Sequence, residues 1–431
     1  MQRYSFWWAV CLLLVSLAAA VPAGSHRMVG AECRGTGWDE PQPVAVTATR
    51  EKLAAGQPVT VVCLGDSVTG IYYHTGGLRA YPEMLQLALQ TTYPQAHVTV
   101  RNAGISGNRT GDGLQRLAQD VLEHQPDLVT VMFGLNDLTV LTLADFRANL
   151  VELIQRCRAA GAEVLLCTPN SVLPTPARPV RKLAEYCAAI RQVADMEQVP
   201  LCDVYATYEA VHERDPRAWR LLLSDEIHPN MDGHKLTAET LSQAITGQCV
   251  SLREIGPPRP ALPKTRSLVA AGQPVRVLAM EPLDQLTAPV FHAVLPGVTV
   301  DVQRWPTADQ SLAQLEEAAK AVRSDPPDFV LIAVPAAVTP ALDSASDASI
   351  STYSWILNWS LSFGRQEWDV VAVAPSVLTA DPSSSDQAAD AFACHLIRAQ
   401  DLHLVTRPAD DHSPPGQIIE NWLRTQWAAD E

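Results

Sequence analysis

From Pro58 onward, short apolar runs alternate with longer stretches of helical period. The runs are "PVTVVCLG" at 58–65, "HVTVRNAG" at 97–104, "DLVTVMFG" at 127–134, "EVLLCTPN" at 163–170 and "VPLCDV" at 199–204. They are short and apolar on both sides, as strands buried on both faces of a sheet are. Between them, apolar positions at helical spacing predict helices near 78–89, 113–123, 143–159 and 177–196, with a last one beyond Asn230. Strands and helices in strict alternation predict a parallel sheet covered by helices on both faces. Ligands of such sheets bind outside the carboxyl ends of the strands.

The pattern then repeats. "AAGQPV" opens a strand at 54–59 and again at 270–275, and "PDLVTVMFG" at 126–134 is answered by "PDFVLIAVP" at 327–335. "HVTV" and "GVTV" match between these blocks, and "VLLCTPNSVL" matches "VVAVAPSVL" after them. Four matches in one order suggest an internal duplication. The expected architecture is two three-layer α/β/α domains, at 50–250 and 268–431, each with a parallel sheet of about five strands. The proline-rich "GPPRPALPKTRS" at 256–267 reads as a linker between them.

Composition narrows the class. At 431 residues the chain exceeds one typical core of about 150 residues, and 47% apolar content suits packed domains. A formal charge of −15 argues against a nucleic-acid partner and against an anionic membrane surface. The opening "MQRYSFWWAVCLLLVSLAAAVPAG" has the layout of a secretory signal peptide over 1–23, with Ala20 and Ala23 both fitting as cleavage sites. An uncleaved anchor is the alternative, disfavoured because the apolar stretch is shorter than the ~20 residues of a spanning helix. An exported chain without stable membrane insertion is expected. Of the nine cysteines, Cys63 and Cys167 fall in apolar runs as core residues, and no ligand spacing calls for zinc.

Four short motifs occupy strand ends in the first half: "GDS" at 65–67, "NAGISGN" at 102–108, "GLND" at 134–137 and "DEIHPN" at 225–230. Ser67 in the first is a candidate nucleophile, and a serine hydroxyl needs a neighbouring base, for which His228 is suited. Asp225, three residues earlier, is placed to orient that imidazole. "LGDSVTG" lacks the G-x-S-x-G spacing of the α/β-hydrolase elbow. A helix beginning just after Ser67 is expected to favour negative charge there, and Asp66 to brace loops.

In their order and placement the motifs resemble the SGNH hydrolases, also called GDSL esterases and lipases, over roughly 58–245. The resemblance implies a flavodoxin-like α/β fold and ester hydrolysis through an acyl-enzyme on Ser67, with Asp225 and His228, and without metal or cofactor. It also implies an oxyanion hole formed by the backbone N–H groups of Ser67 and Gly104 and the side-chain amide of Asn136. Tyr72, Tyr73 and His74, close behind the nucleophile, are candidate substrate-binding residues, with core or surface positions as the alternative.

The implied substrate is a small or carbohydrate-linked ester, O-acetylated carbohydrate first. Lysophospholipase or thioesterase action, acyl transfer to a sugar, and non-catalytic carbohydrate binding are the alternatives. In the second half the positions of Gly65, Asp66 and Ser67 hold Glu281, Pro282 and Leu283, while Gly134 and Asn136 become Pro335 and Ala337. That half is expected to keep the fold and catalyse nothing, with His412 a surface residue. Trp355, Trp359 and Trp368 are candidates for stacking on sugars or for the core. A chain ending near Ile255 tests this: folding with activity kept on a small aryl acetate would make the second half dispensable for chemistry.

Overall fold

The computed structural model describes residues 45–362 and 367–428. The leader expected at 1–23 lies outside these residues. Strands β1 (Val59–Gly65), β2 (Val98–Gly104), β3 (Leu128–Met132), β4 (Glu163–Cys167) and β5 (Leu201–Cys202) form a parallel sheet in the order β2-β1-β3-β4-β5. Strands β6 (Val275–Met280), β7 (Val300–Trp305), β8 (Phe329–Ile332), β9 (Asp369–Val373) and β10 (His403–Val405) form a second, in the matching order β7-β6-β8-β9-β10. The β-branched, two-sided runs are the sheet centres: every residue of β3 and of β8 is buried.

The two sheets also share register. Val61 pairs with Leu128 in the first as Val277 pairs with Phe329 in the second. Leu128 faces Glu163 as Phe329 faces Asp369. Glu163 accepts the N–H groups of Ala48 (3.0 Å) and Thr49 (2.7 Å) at the start of the helix Thr47–Ala54. Asp369 accepts those of Lys264 (3.2 Å) and Thr265 (2.7 Å) at the start of the helix Pro263–Ala270. A carboxylate at the head of the fourth strand thus satisfies a helix start in each half.

Local chemistry moves several helix boundaries. Asp112 Oδ2 accepts the Arg109 N–H (2.9 Å), so the helix expected at 113–123 runs Thr110–Asp120. Glu83 does the same for Ala80 (2.8 Å), with Pro82 in the first turn, giving Tyr81–Thr92 instead of 78–89. Pro179 precedes Val180–Met196, three residues later than expected at 177. The stretch read as a linker is not a free spacer, because part of it is helical and Ala261, Leu262 and Thr265 are buried. Leu221 of the first half lies in the apolar core of the second. Among the described residues no helix is long and apolar enough to cross a membrane.

Candidate active site

β1 carries the chain to the carboxyl edge of the first sheet and stops at Gly65. A Cβ there would lie 2.0 Å from Thr69 Oγ1 and 2.8 Å from the Met132 carbonyl oxygen, so the turn closes only on glycine. No helix begins at Ser67, contrary to the sequence expectation. Residues 66–70 fold into a tight turn in which the Asp66 carbonyl accepts the N–H groups of Thr69 (3.2 Å) and Gly70 (3.0 Å). Asp66 Oδ1 takes the Val68 N–H (2.9 Å), so this buried carboxylate braces the nucleophile turn. Burial pushes its carboxyl up to about 6, against the Val68 N–H and the His228 charge.

Ser67 Oγ lies 2.8 Å from His228 Nε2, and His228 Nδ1 lies 2.7 Å from Asp225 Oδ2. Asp225 Oδ1 accepts the N–H groups of Ile227 (2.8 Å) and His228 (2.7 Å), which fixes the carboxylate. Burial raises its carboxyl, but the His228 ring hydrogen bond and charge and these N–H groups outweigh burial and hold it below the ordinary range. With the Nδ1 proton on the Asp225 side, Nε2 is free to accept the serine proton.

Around Ser67 the other motifs converge unevenly. Asn136 Nδ2 donates to the Asn108 carbonyl (3.1 Å) and faces Asp66 Oδ2 at 3.4 Å, while its oxygen accepts from Arg178 Nη2 (2.9 Å). Arg178 Nε also donates to the Leu135 carbonyl (2.9 Å), so this residue orients the Asn136 amide. It sits in a loop with no recurring pattern, and nothing in the sequence pointed to it. Asn170, at the end of β4, donates to the Ile227 carbonyl (3.0 Å). The strand-end rule alone would have singled it out.

The Gly104 assignment is corrected. Its N–H donates to Asn102 Oδ1 (3.0 Å), and a Cβ at 104 would lie 2.2 Å from the Gly70 nitrogen. This glycine is required for close packing of β2 against the nucleophile turn, and its donor is already engaged. Gly107, in the same motif, has φ +77 and open space around its Cα, and among the described residues no acceptor takes its N–H.

The three candidate pocket residues divide. His74 is buried, stacks on His228 at 4.4 Å and 9°, and has His234 at 5.9 Å on a parallel plane. Neither His74 nitrogen has a partner, and burial, then the His228 and His234 charges, holds this ring well below the ordinary histidine range. It is a packing surface for the imidazole of His228, not part of an open pocket. Tyr72 Oη accepts the Ser106 N–H (2.8 Å). Tyr73 is half-buried beside Trp355 (5.4 Å), which stacks on Trp359 (5.4 Å, 30°). Trp368 is buried with its indole N–H on the Ser360 carbonyl, and His412 is exposed.

A model of the GDSL-like Lipase/Acylhydrolase family matches residues 63–236. An acetylxylan esterase of Geobacillus stearothermophilus is 28% identical over 178 residues, 38% of this chain and 80% of that protein. The thioesterase 1/protease 1/lysophospholipase L1 of Escherichia coli (strain K12) is 30% identical over 210 residues, 48% of this chain and 92% of that protein. The crystal structure of Axe2, an acetylxylan esterase from Geobacillus stearothermophilus, is similar at TM-score 0.40 and 24% identity, covering 45% of this chain and 97% of that one.

Proposed function

The chain belongs to the GDSL-like lipase/acylhydrolase family, the SGNH hydrolases, and is an ester hydrolase; from that premise we propose that Ser67, His228 and Asp225 form its catalytic triad. The observation that carries this is the unbroken chain of contacts from Ser67 Oγ to His228 Nε2 (2.8 Å) and from His228 Nδ1 to Asp225 Oδ2 (2.7 Å). Ser67 Oγ attacks the ester carbonyl as its proton passes to Nε2. The C–O bond to the alcohol then breaks, and the proton goes to the departing oxygen. Water, deprotonated by His228, releases the acid and restores Ser67. The oxyanion is held by the N–H of Ser67, by the N–H of Gly107 in place of Gly104, and by the Asn136 amide, which exchanges its long 3.4 Å contact with Asp66 Oδ2 for the oxyanion while keeping its bond to the Asn108 carbonyl.

We assign the substrate as an acetyl ester on a carbohydrate and the protein as exported. The similarity to an acetylxylan esterase supports the first. The partly exposed Tyr73, Trp355 and Trp359 beside the site suit a sugar face. Export is supported by the leader pattern and by Cys249, which is disulfide-bonded. A long-chain acyl substrate is the second reading, favoured by similarity to the thioesterase/lysophospholipase. The second half is read as a degenerate, non-catalytic copy: it repeats the topology and register, but buried Leu283 stands in place of Ser67 and Pro335 offers no N–H.

Fluorophosphonate labelling tests the nucleophile: the wild type should label and Ser67→Ala should not. Equal labelling of both would remove Ser67 from the mechanism. Rates on acetylated xylo-oligosaccharides and on a palmitoyl thioester then separate the two substrate readings.

A further inference from the structure

Ser224 directly precedes Asp225 and is fully buried, yet its hydroxyl partners come from the far half of the chain. The carboxamide of Asn358 lies 3.2 Å from Ser224 Oγ and that of Gln400 lies 2.9 Å from it, and both residues are buried. The two carboxamides also touch each other. Turned to satisfy its neighbours, Asn358 donates to the carbonyls of Ser354 and Tyr73, each at 3.2 Å, and its oxygen accepts from Ser224 Oγ; the Gln400 amide, 2.5 Å away, turns with it so that an oxygen and not an NH₂ meets the Asn358 NH₂. Asn358 therefore bridges the loop behind the nucleophile and the loop that carries Asp225 and His228.

Gln400 meets the nucleophile side as well. At Gly76 (φ +72) a Cβ would lie 2.7 Å from the Gln400 carbonyl oxygen, so the 73–76 turn is pressed onto Gln400. That turn holds His74 against the His228 ring.

We propose that Asn358 and Gln400 of the second half are positioning residues for ester hydrolysis, clamping the Asp225–His228 loop through Ser224 and the Tyr73–Gly76 turn directly. This rests on the triad assigned above. A buried hydroxyl bound by two carboxamides admits few alternative loop positions, since each would leave polar groups unpaired in the interior. A shift of about 1 Å at a catalytic group is enough to cost roughly a hundredfold in rate. Cutting the chain near Ile255 removes both carboxamides from Ser224, so on this proposal the first half alone loses activity.

The test uses the full chain, an aryl acetate substrate and fluorophosphonate labelling. Asn358→Leu, which keeps the branched shape and number of side-chain heavy atoms, and Ser224→Ala, which removes one oxygen, should each lower kcat by about tenfold or more while KM stays within about twofold. The double variant should be no worse than the poorer single, because both remove one network. Arg217→Met breaks bonds from the same interface to the Ala345 and Leu342 carbonyls, and should lower Tm without changing kcat. If Asn358→Leu does not fold, Ser224→Ala against Arg217→Met decides the matter. Folded variants with wild-type kcat, or an equal kcat loss in Arg217→Met, overturn the clamp while leaving Ser67 labelling intact. Labelling that survives Ser67→Ala overturns the triad and the clamp with it.

Discussion

Replacing Asp225 by asparagine alters one atom and no volume, and the geometry of the triad dictates the consequence. Asp225 Oδ1 is occupied by the N–H groups of Ile227 and His228, at 2.8 and 2.7 Å. The asparagine oxygen must stay there, which puts its NH₂ at the Oδ2 position, 2.7 Å from His228 Nδ1. An amide nitrogen donates, so Nδ1 must accept and the ring proton moves to Nε2, pointing at Ser67 Oγ. The base is lost. Turning the amide to recover the right tautomer sets its NH₂ against two buried N–H groups, at about 1–3 kcal/mol each. A total of about 4 kcal/mol corresponds to roughly a thousandfold in rate. The assay is kcat/KM on p-nitrophenyl acetate, with circular dichroism to confirm the fold. A folded Asp225→Asn variant within about tenfold of wild type would refute the reasoning.

Asn136→Ala removes the proposed oxyanion donor that Arg178 orients, and kcat should fall by about a hundredfold or more with little change in KM. His74 gives the His228 ring a flat apolar wall, so His74→Leu should keep most activity. A loss matching that of His228→Ala would show that the His74 nitrogens take part in proton transfer. Burial holds the Asp66 carboxyl at about 6 against an ordinary 3.8, so the folded chain binds a proton there that the unfolded chain releases. That contribution is fully present below pH 3.8 and is lost as pH rises through about 6, up to about 3 kcal/mol in all. In thermal melts, Asp66→Asn should therefore lose less Tm than wild type as pH is raised through that window. An unchanged pH slope would refute it.

Sequence alone revealed what depends on period and on strand ends. Two-sided apolar runs gave the strands, and their shared order in both halves appeared already in the paired motifs. That Ser67, His228 and Asp225, the proposed triad, come within hydrogen-bond reach of one another was legible because they lie in short fixed-spacing blocks at strand ends. Gly104 misled because two glycines share one motif, and only the Asn102 side chain shows which N–H is already taken. His74 looked like a pocket residue by proximity to Ser67 along the chain. Its burial comes from the turn at Tyr73–Thr75 folding back over His228, a tertiary contact that spacing does not encode. Arg178 and Ser224 were invisible for the same reason, since their partners lie far off in sequence.

On the reading of the second half proposed above, a half that does no chemistry is still held under constraint. Where the first half has Ser67 and Asn136, its strand ends hold buried Leu283 and, in the short turn Ala336–Val338, Ala337. Part of its polar interior, by contrast, serves the interface: Asn358 and Gln400 meet Ser224, Arg79 forms a paired salt bridge with Asp401, and Arg220 reaches Ser351. Each contact ties a residue of the first half, near the nucleophile loop or the histidine loop, to the second. An apolar replacement at Ser224, Asn358, Gln400 or Arg79 leaves a buried partner unsatisfied, at a cost of about 1–3 kcal/mol. That penalty falls on the folded state whether or not the second half turns over substrate, and it acts at the interface rather than at the vacant strand ends.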